Sequence, residues 1–196
     1  MIKKGESYYG AVIGAYGACY AMRKSLYKPI PAGFYVDDFF LFMNILLNGY
    51  KTVFTPNAVC KMEVSGNSKK QFKRKVRISS GNFQNLLYFR KLINPFRNFA
   101  GFAFFSHKVI RWLGPFLMLL ILIANFVVLP VHPFFTWLLS AQLLFYLLGL
   151  LDVVLRKYDI DFIILRYISH FVLMNYALLI GFFRFLSLES DGKWEH

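Results

Sequence analysis

Leu113–Val131, LGPFLMLLILIANFVVLPV, runs for nineteen residues without a charged side chain. As an α-helix at 1.5 Å per residue it would reach about 28 Å, close to the roughly 30 Å apolar core of a bilayer. It predicts a membrane-spanning helix, and the rest of the chain is placed by its relation to that helix. A second apolar stretch, Phe134–Val154, follows after the short turn HPF, which predicts an antiparallel helical hairpin. Lys108 and Arg111 precede the first stretch, Arg156 and Lys157 follow the second, and the turn has no Lys or Arg. Cytoplasmic flanks collect cations, so the turn is expected to face away from the cytoplasm. A third stretch, Phe162–Leu188, is interrupted by Arg166 and His170. Either it spans as a whole with a tilt, or Phe162–His170 lies in the interface and Phe171–Leu186 spans alone. Three full spans would leave the tail, ESDGKWEH, on the outer side.

Composition agrees with a membrane chain. Of 196 residues 57% are hydrophobic, and 23 Lys and Arg outnumber 10 Asp and Glu, for a net charge of +13. Positive charge with such an apolar excess points to a membrane rather than to a soluble nucleic-acid binder. No acid occurs between Glu63 and Asp152, whereas eleven Lys or Arg lie between Lys69 and Arg111. Such a block must face lipid headgroups, nucleic acid or a phosphorylated ligand. Its place beside apolar spans makes nucleic acid the weakest of the three. Cys19 and Cys60 stand singly among apolar or small residues and read as reduced packing residues. The four histidines are scattered, giving no support for a histidine metal cluster. Asp159-x-Asp161 has the formal spacing of a metal-binding pair, but it lies in a loop between spans and reads as a solvated turn, so no metal is assigned there. The opening MIKKGESYYG lacks the apolar core of a signal peptide.

The first half has mixed polarity. Asp37 and Asp38 open DDFFLFMNILLNG, where carboxylates are expected to cap a helix and Gly49 to follow its end. The run YKTVFTPNAV then reads as a strand. Helix, glycine and strand make an α/β unit, so the amino-terminal third is expected to be a water-exposed α/β piece. Residues 1–61 fall short of the roughly 100–150 usual for a domain, so the chain reads as part of a larger enzyme.

In KKQFKRKVRISSGNFQ, Lys69–Gln84, six of the first nine residues are cationic. At helical spacing Phe72, Val76, Ser79, Phe83, Leu86 and Leu87 share one side, which should pack down. Gln71, Arg74 and Lys75 share another. The run can therefore aim three polar groups at one place, while Lys69, Lys70 and Lys73 meet water or lipid.

An acidic pair at a helix start, then Gln-x-x-Arg-Lys on a basic helix, then membrane spans, resembles the carboxy-terminal half of the membrane-bound family 2 glycosyltransferases. That group includes cellulose, chitin, hyaluronan and poly-N-acetylglucosamine synthases. The resemblance implies a fold of α/β plus α-helical membrane bundle. A partial GT-A-like domain would occupy 1–98, an interfacial segment 99–112, transmembrane helices 113–188 (spans about 113–131, 134–154 and 162–188) and a tail 189–196. It implies that Asp38 is the catalytic base and Asp37 a supporting acid, that Arg74 and Lys75 bind the donor diphosphate, and that Gln71 lies near the acceptor. GAYGACYAMRKSLY, Gly14–Tyr27, resembles the segment lining the acceptor site, which implicates Gly14, Tyr16 and Gly17. Lys75 stands where the family carries tryptophan. Lysine offers no flat stacking surface for a sugar, which counts against processive synthesis of a long polymer and favours transfer of one sugar. The family's nucleotide-holding part with its metal-binding Asp-x-Asp is not in this sequence. A divalent cation, Mg or Mn, is thus expected for the full-length enzyme with ligands outside this chain, and this chain alone is not expected to act.

The implied partners are a nucleotide-sugar donor, a lipid-linked or glycan acceptor and membrane lipids. The implied place is a bacterial inner membrane with the amino-terminal region cytoplasmic. A carboxylate at a helix N-terminus is expected to stay ionised beside the macrodipole and to accept a proton. Arg74 and Lys75 would offset charge on the leaving group. The alternative is a non-catalytic membrane subunit or transport component whose basic segment docks to anionic lipid, each cation there contributing about 1 kcal/mol. GAYGACY lacks the G-x-x-x-x-G-K-[ST] phosphate loop, so nucleotide hydrolysis is not supported.

Overall fold

The computed structural model describes residues 2–61 and 68–191; the end of the expected tail, 192–196, lies outside them. The helices are α1 (Ile2–Tyr8), α2 (Asp37–Leu47), α3 (Ser68–Tyr88), α4 (Phe99–Phe104), α5 (Ile110–Trp112), α6 (Gly114–Val127), α7 (Pro133–Leu155) and α8 (Ile163–Asp191). A π-helical turn, Phe105–Val109, joins α4 to α5. The chain divides into two compact units, 1–112 with 181–196, and 113–180.

In the first unit α2 is the centre of the core. Phe39, Phe40 and Met43 are buried; the Phe40 ring lies tilted 5.6 Å from Phe89, and Phe39 lies 5.5 Å from Trp112. Helix α3 buries Val76, Ser79 and Phe83, as its spacing predicts, while Leu87 is exposed. That face receives the end of α8, with Phe182 5.1 Å from Phe83 and Arg184 over the ring of Tyr35 at 5.6 Å. Gly181 makes the approach possible, since a Cβ there would collide with Ser79.

The α/β expectation is overturned. Among the described residues there is no sheet, only isolated bridges between Ala11 and Thr52 and between Tyr16 and Cys19, so the chain does not form the partial GT-A-like domain. The extended run after Gly49 pairs only at Thr52, whose N–H donates to Gly10 and whose carbonyl accepts from Val12. Pro56 and Asn57 then form a turn, and a lone pairing of this length is too short to make a sheet. Gly49 does take the left-handed φ, +79°, expected after a helix. The acids, however, are not caps. Val36 is the N-cap, without a side-chain bond, and Asp37 and Asp38 sit in the first turn. Cys19 and Cys60 are free but exposed, not packed inside.

The second unit is helical throughout its long segments. Pro133–Tyr158 and Ile163–Ser187 are each long and apolar enough to cross a membrane, which is consistent with a membrane protein. The third apolar stretch is therefore one unbroken helix, with no interruption at His170. Helix α6 ends at Val127, short of Pro130, because the residue before a proline disfavours helical backbone. At about 21 Å it is shorter than a bilayer core. It reaches the length of a span only when counted together with Phe99–Trp112.

Polar side chains fasten these helices to one another. Asn125 on α6 donates to Gln142 on α7 at 2.9 Å, and Gln142 donates to the Met118 carbonyl and the Tyr146 hydroxyl. Near the end of α7 the buried Asp152 receives Nε and Nη2 of Arg156 and the hydroxyl of Ser169 on α8. Asp152 was read only as part of an apolar span. Its partners, Arg156 four residues on and Ser169 on α8, let a carboxylate stay there. Ser169→Ala, which leaves the Asp152–Arg156 pair intact, should cost about 1 kcal/mol, and Asp152→Ala, which strands Arg156, should cost more. Thermal unfolding in detergent micelles checks this order, and indistinguishable midpoints for the two variants would contradict it.

Candidate functional site

The first turn of α2 carries the acidic pair. Asp37 is exposed and Asp38 partly buried. Oδ1 of Asp38 accepts the Phe39 N–H at 2.7 Å. Oδ2 faces the loop between α1 and α2: a Cβ on Gly17 would stand 2.9 Å from it, and a Cβ on Gly14 would stand 2.7 Å from the Phe39 ring. Gly14 also has φ of +75°, a conformation that costs any residue with a Cβ. The two glycines therefore let the loop close over the turn. Tyr16 stays exposed, with the Lys3 ammonium 5.8 Å from its ring centroid. The structure thus places Gly14 and Gly17 against Phe39 and Asp38, with Tyr16 in the same loop and Asp37 next to Asp38 in the helix turn.

Helix α1 pins that loop. Lys3 Nζ donates to the carbonyls of Ile13 and Gly14 at 2.9 and 2.6 Å. Glu6, 2% exposed, accepts the Ile13 N–H on one oxygen and meets His107 Nδ1 at 2.7 Å with the other. His107 belongs to the π-helical turn, as does Lys108, whose ammonium lies 5.8 Å from the centroid of Phe39. Lys3, Glu6, His107 and Lys108 were missed at the sequence level, where 99–112 was read as an interfacial segment. The signal is Ser-His-Lys inside the otherwise apolar FAFFSHKVI.

Burial decides the charges here. It raises the proton affinity of Asp38, with like charge on Asp37 adding to it; the Phe39 N–H and Lys108 pull the other way. The expectation that the helix terminus simply holds this carboxylate ionised gives way to a desolvated, more basic group. Burial also lowers Lys108 to about 8, with Arg111 and Lys3 repelling its charge, and it lowers Lys3.

The basic motif lies elsewhere on the same unit. Gln71, Arg74 and Lys75 are all exposed on α3. Neither Arg74 nor Lys75 forms an ion pair with Asp37 or Asp38 among the described residues. What ties α3 to the acids is farther along it. Gln84 accepts the Tyr35 N–H and donates to the Gly33 carbonyl, Asn85 donates to the Val36 carbonyl, and Gly81 packs against Val36. Arg74 lies two turns before Gly81, about 10 Å along the axis. The buried amides Gln84 and Asn85, in GNFQN, thus position the segment that leads into Asp37, and the sequence reading passed over both.

Compared with protein-family models, with curated proteins and with solved structures, the chain matches none. The site is accordingly read from its own geometry. No three His, Cys, Asp or Glu side chains converge among the described residues. Asp37 and Asp38 can accept protons, and Arg74 and Lys75 can balance an anion.

Gly14→Ala should destabilise the first unit by about 1–3 kcal/mol, from its left-handed φ and the Phe39 ring. Gly5→Ala, with open space around its Cβ position, should be neutral or slightly stabilising. Thermal unfolding of the detergent-solubilised chain separates them, and equal behaviour would show that the loop does not close on α2 as described.

Proposed function

We propose that this chain is the acceptor-handling and leaving-group-handling part of a membrane glycosyltransferase that moves a sugar from a nucleotide-sugar donor to a lipid-linked or glycan acceptor at the cytoplasmic face. The observation that carries the reading is Asp38: a carboxylate at a helix start, made more basic by burial, under a loop that two glycines allow to close. A base of that kind suits an acceptor hydroxyl, since proton transfer is most effective when the base is tuned toward the working pH. The exposed cations of α3 and the apolar α7 and α8 add support, because the order of acid pair, Gln-x-x-Arg and spanning helices is that of the family it resembles.

In this reading the acceptor O–H gives its proton to Asp38, the acceptor oxygen bonds to the sugar's anomeric carbon, and the bond from that carbon to the diphosphate oxygen breaks. The departing diphosphate gains negative charge, which Arg74 and Lys75 offset. Asp37 keeps the neighbouring field negative and so favours proton uptake by Asp38. Lys75 in place of an indole leaves no stacking platform, in keeping with transfer of single sugars.

Transfer from labelled nucleotide sugars, assayed in membranes containing the gene product that includes this chain, tests the reading. Asp38→Asn should reduce transfer by about a hundredfold or more while membrane insertion is unchanged; undiminished transfer would remove Asp38 as base. Arg74→Ala should weaken nucleoside diphosphate binding by about tenfold and Lys73→Ala by less. Equal losses would favour the alternative of a basic surface that only meets anionic lipid.

A further inference from the structure

Lys108 occupies a costly position. Its ammonium is partly buried, with Arg111 on its own stretch and Lys3 on α1 both of like charge. Among the described residues it makes no hydrogen bond and no ion pair. Its neighbours are the Phe39 ring and the charges of Glu6 and Asp38. Glu6 is already engaged by Ile13, His107 and Lys3. Asp38 is not: the hydrogen bond it accepts comes from Phe39, the next residue in the chain. An apolar side chain at 108 would avoid both the burial and the repulsion, so a lysine there is accounted for by its effect on Asp38.

The backbone is built to hold it. Phe105–Val109 is a π-helical turn between α-helical segments, a local change of winding that occurs often at functional sites. His107, one residue before, is fastened to Glu6 of α1, while Lys108 lies over Phe39 of α2. Two successive residues of one turn thus bind two different helices.

We propose that Lys108 is a positioning residue for Asp38, held over Phe39 at the first turn of α2 by the π-helical turn so that its positive charge offsets the burial of the neighbouring carboxylate. This rests on the reading of Asp38 as base, yet the coupling of the two charges can be measured without it. Lys108 lowers the proton affinity of Asp38, against burial and Asp37, which raise it. Taking the positive charge away must therefore move Asp38 titration to higher pH. Lys108 loses its own proton near pH 8, so its charge is present throughout the acidic limb, where the effect is read. The other groups facing Lys108 are Arg111 and His107 beside it, Lys3 and Glu6 on α1 and Asp38 on α2, while Asp37, Tyr20 and Lys3 also face Asp38; all keep their side chains in Lys108→Met, which also keeps a long side chain over Phe39.

The test uses membrane vesicles holding the chain and dicyclohexylcarbodiimide, which labels protonated carboxyl groups, with labelling of Asp38 followed by peptide mass spectrometry from about pH 4 to about pH 9. In Lys108→Met the half-labelling pH should rise, with several-fold more label at about pH 6, and Lys108→Arg should restore the wild-type curve. Lys108→Gln is the second neutral variant should Met not yield folded protein. Coincident curves for wild type and a folded neutral variant overturn the proposal, as does an Arg variant that follows the neutral one. In the transfer assay the acidic limb of the rate profile should move the same way. Undiminished transfer by Asp38→Asn would sink the base reading and leave the labelling result standing, whereas loss of transfer there with unshifted labelling in Lys108→Met would sink this inference alone.

Discussion

The loop through Gly14 and Gly17 passes so close over the first turn of α2 that a single methyl group at either glycine would strike Phe39 or Asp38. That approach half-buries one carboxylate of an adjacent pair and leaves the other in water, and it depends on α1, whose Lys3 and Glu6 grip the loop at Ile13 and Gly14. Desolvation on one side and a helix N-terminus on the other act in opposite senses on the same group, and burial is the larger. The chemistry assigned to Asp38 follows from that balance. A fully exposed acid would be too weak a base, and a fully buried one would stay protonated.

The same constraint organises the cations. Glu6 ties α1 to His107, the π-helical turn carries Lys108 to the ring of Phe39, and α3 reaches the acids through Gln84 and Asn85 rather than through its basic residues. Arg74 and Lys75 remain in water two to three turns away along α3. A ligand that uses both the acid pair and the basic face must therefore bridge them, which an extended molecule carrying a sugar at one end and a diphosphate at the other can do.

Much of this was legible in the residues. The period of Phe72, Val76, Ser79 and Phe83 foretold the buried face of α3, Gly49 foretold the end of α2, and Phe134–Val154 foretold a long apolar helix. The strand was not, because YKTVFTPNAV has the composition of a strand while strand pairing is decided by a partner, and Gly10–Val12 offers only three residues of one. The full length of the first span was misjudged because apolarity alone was counted, whereas Pro130 ends the helix at Val127. The polar members of the site were hidden for a common reason. Glu6, His107, Gln84 and Asn85 act across 49 to 101 residues of sequence, and no spacing within a helix reveals a partner on another one. Asp152 and Ser169 were hidden in the same way, in two successive apolar stretches whose pairing no spacing within either one reveals.

The most direct measurement is an infrared titration of the carboxyl bands in membranes, taken as the difference between the wild-type chain and Asp38→Asn so that Asp38 is seen alone. Its protonated band is expected to persist to a pH above the ordinary aspartate value of 3.8 and to vanish on further titration. A band lost at or below that value would contradict a base made by burial, and with it the site built around the first turn of α2.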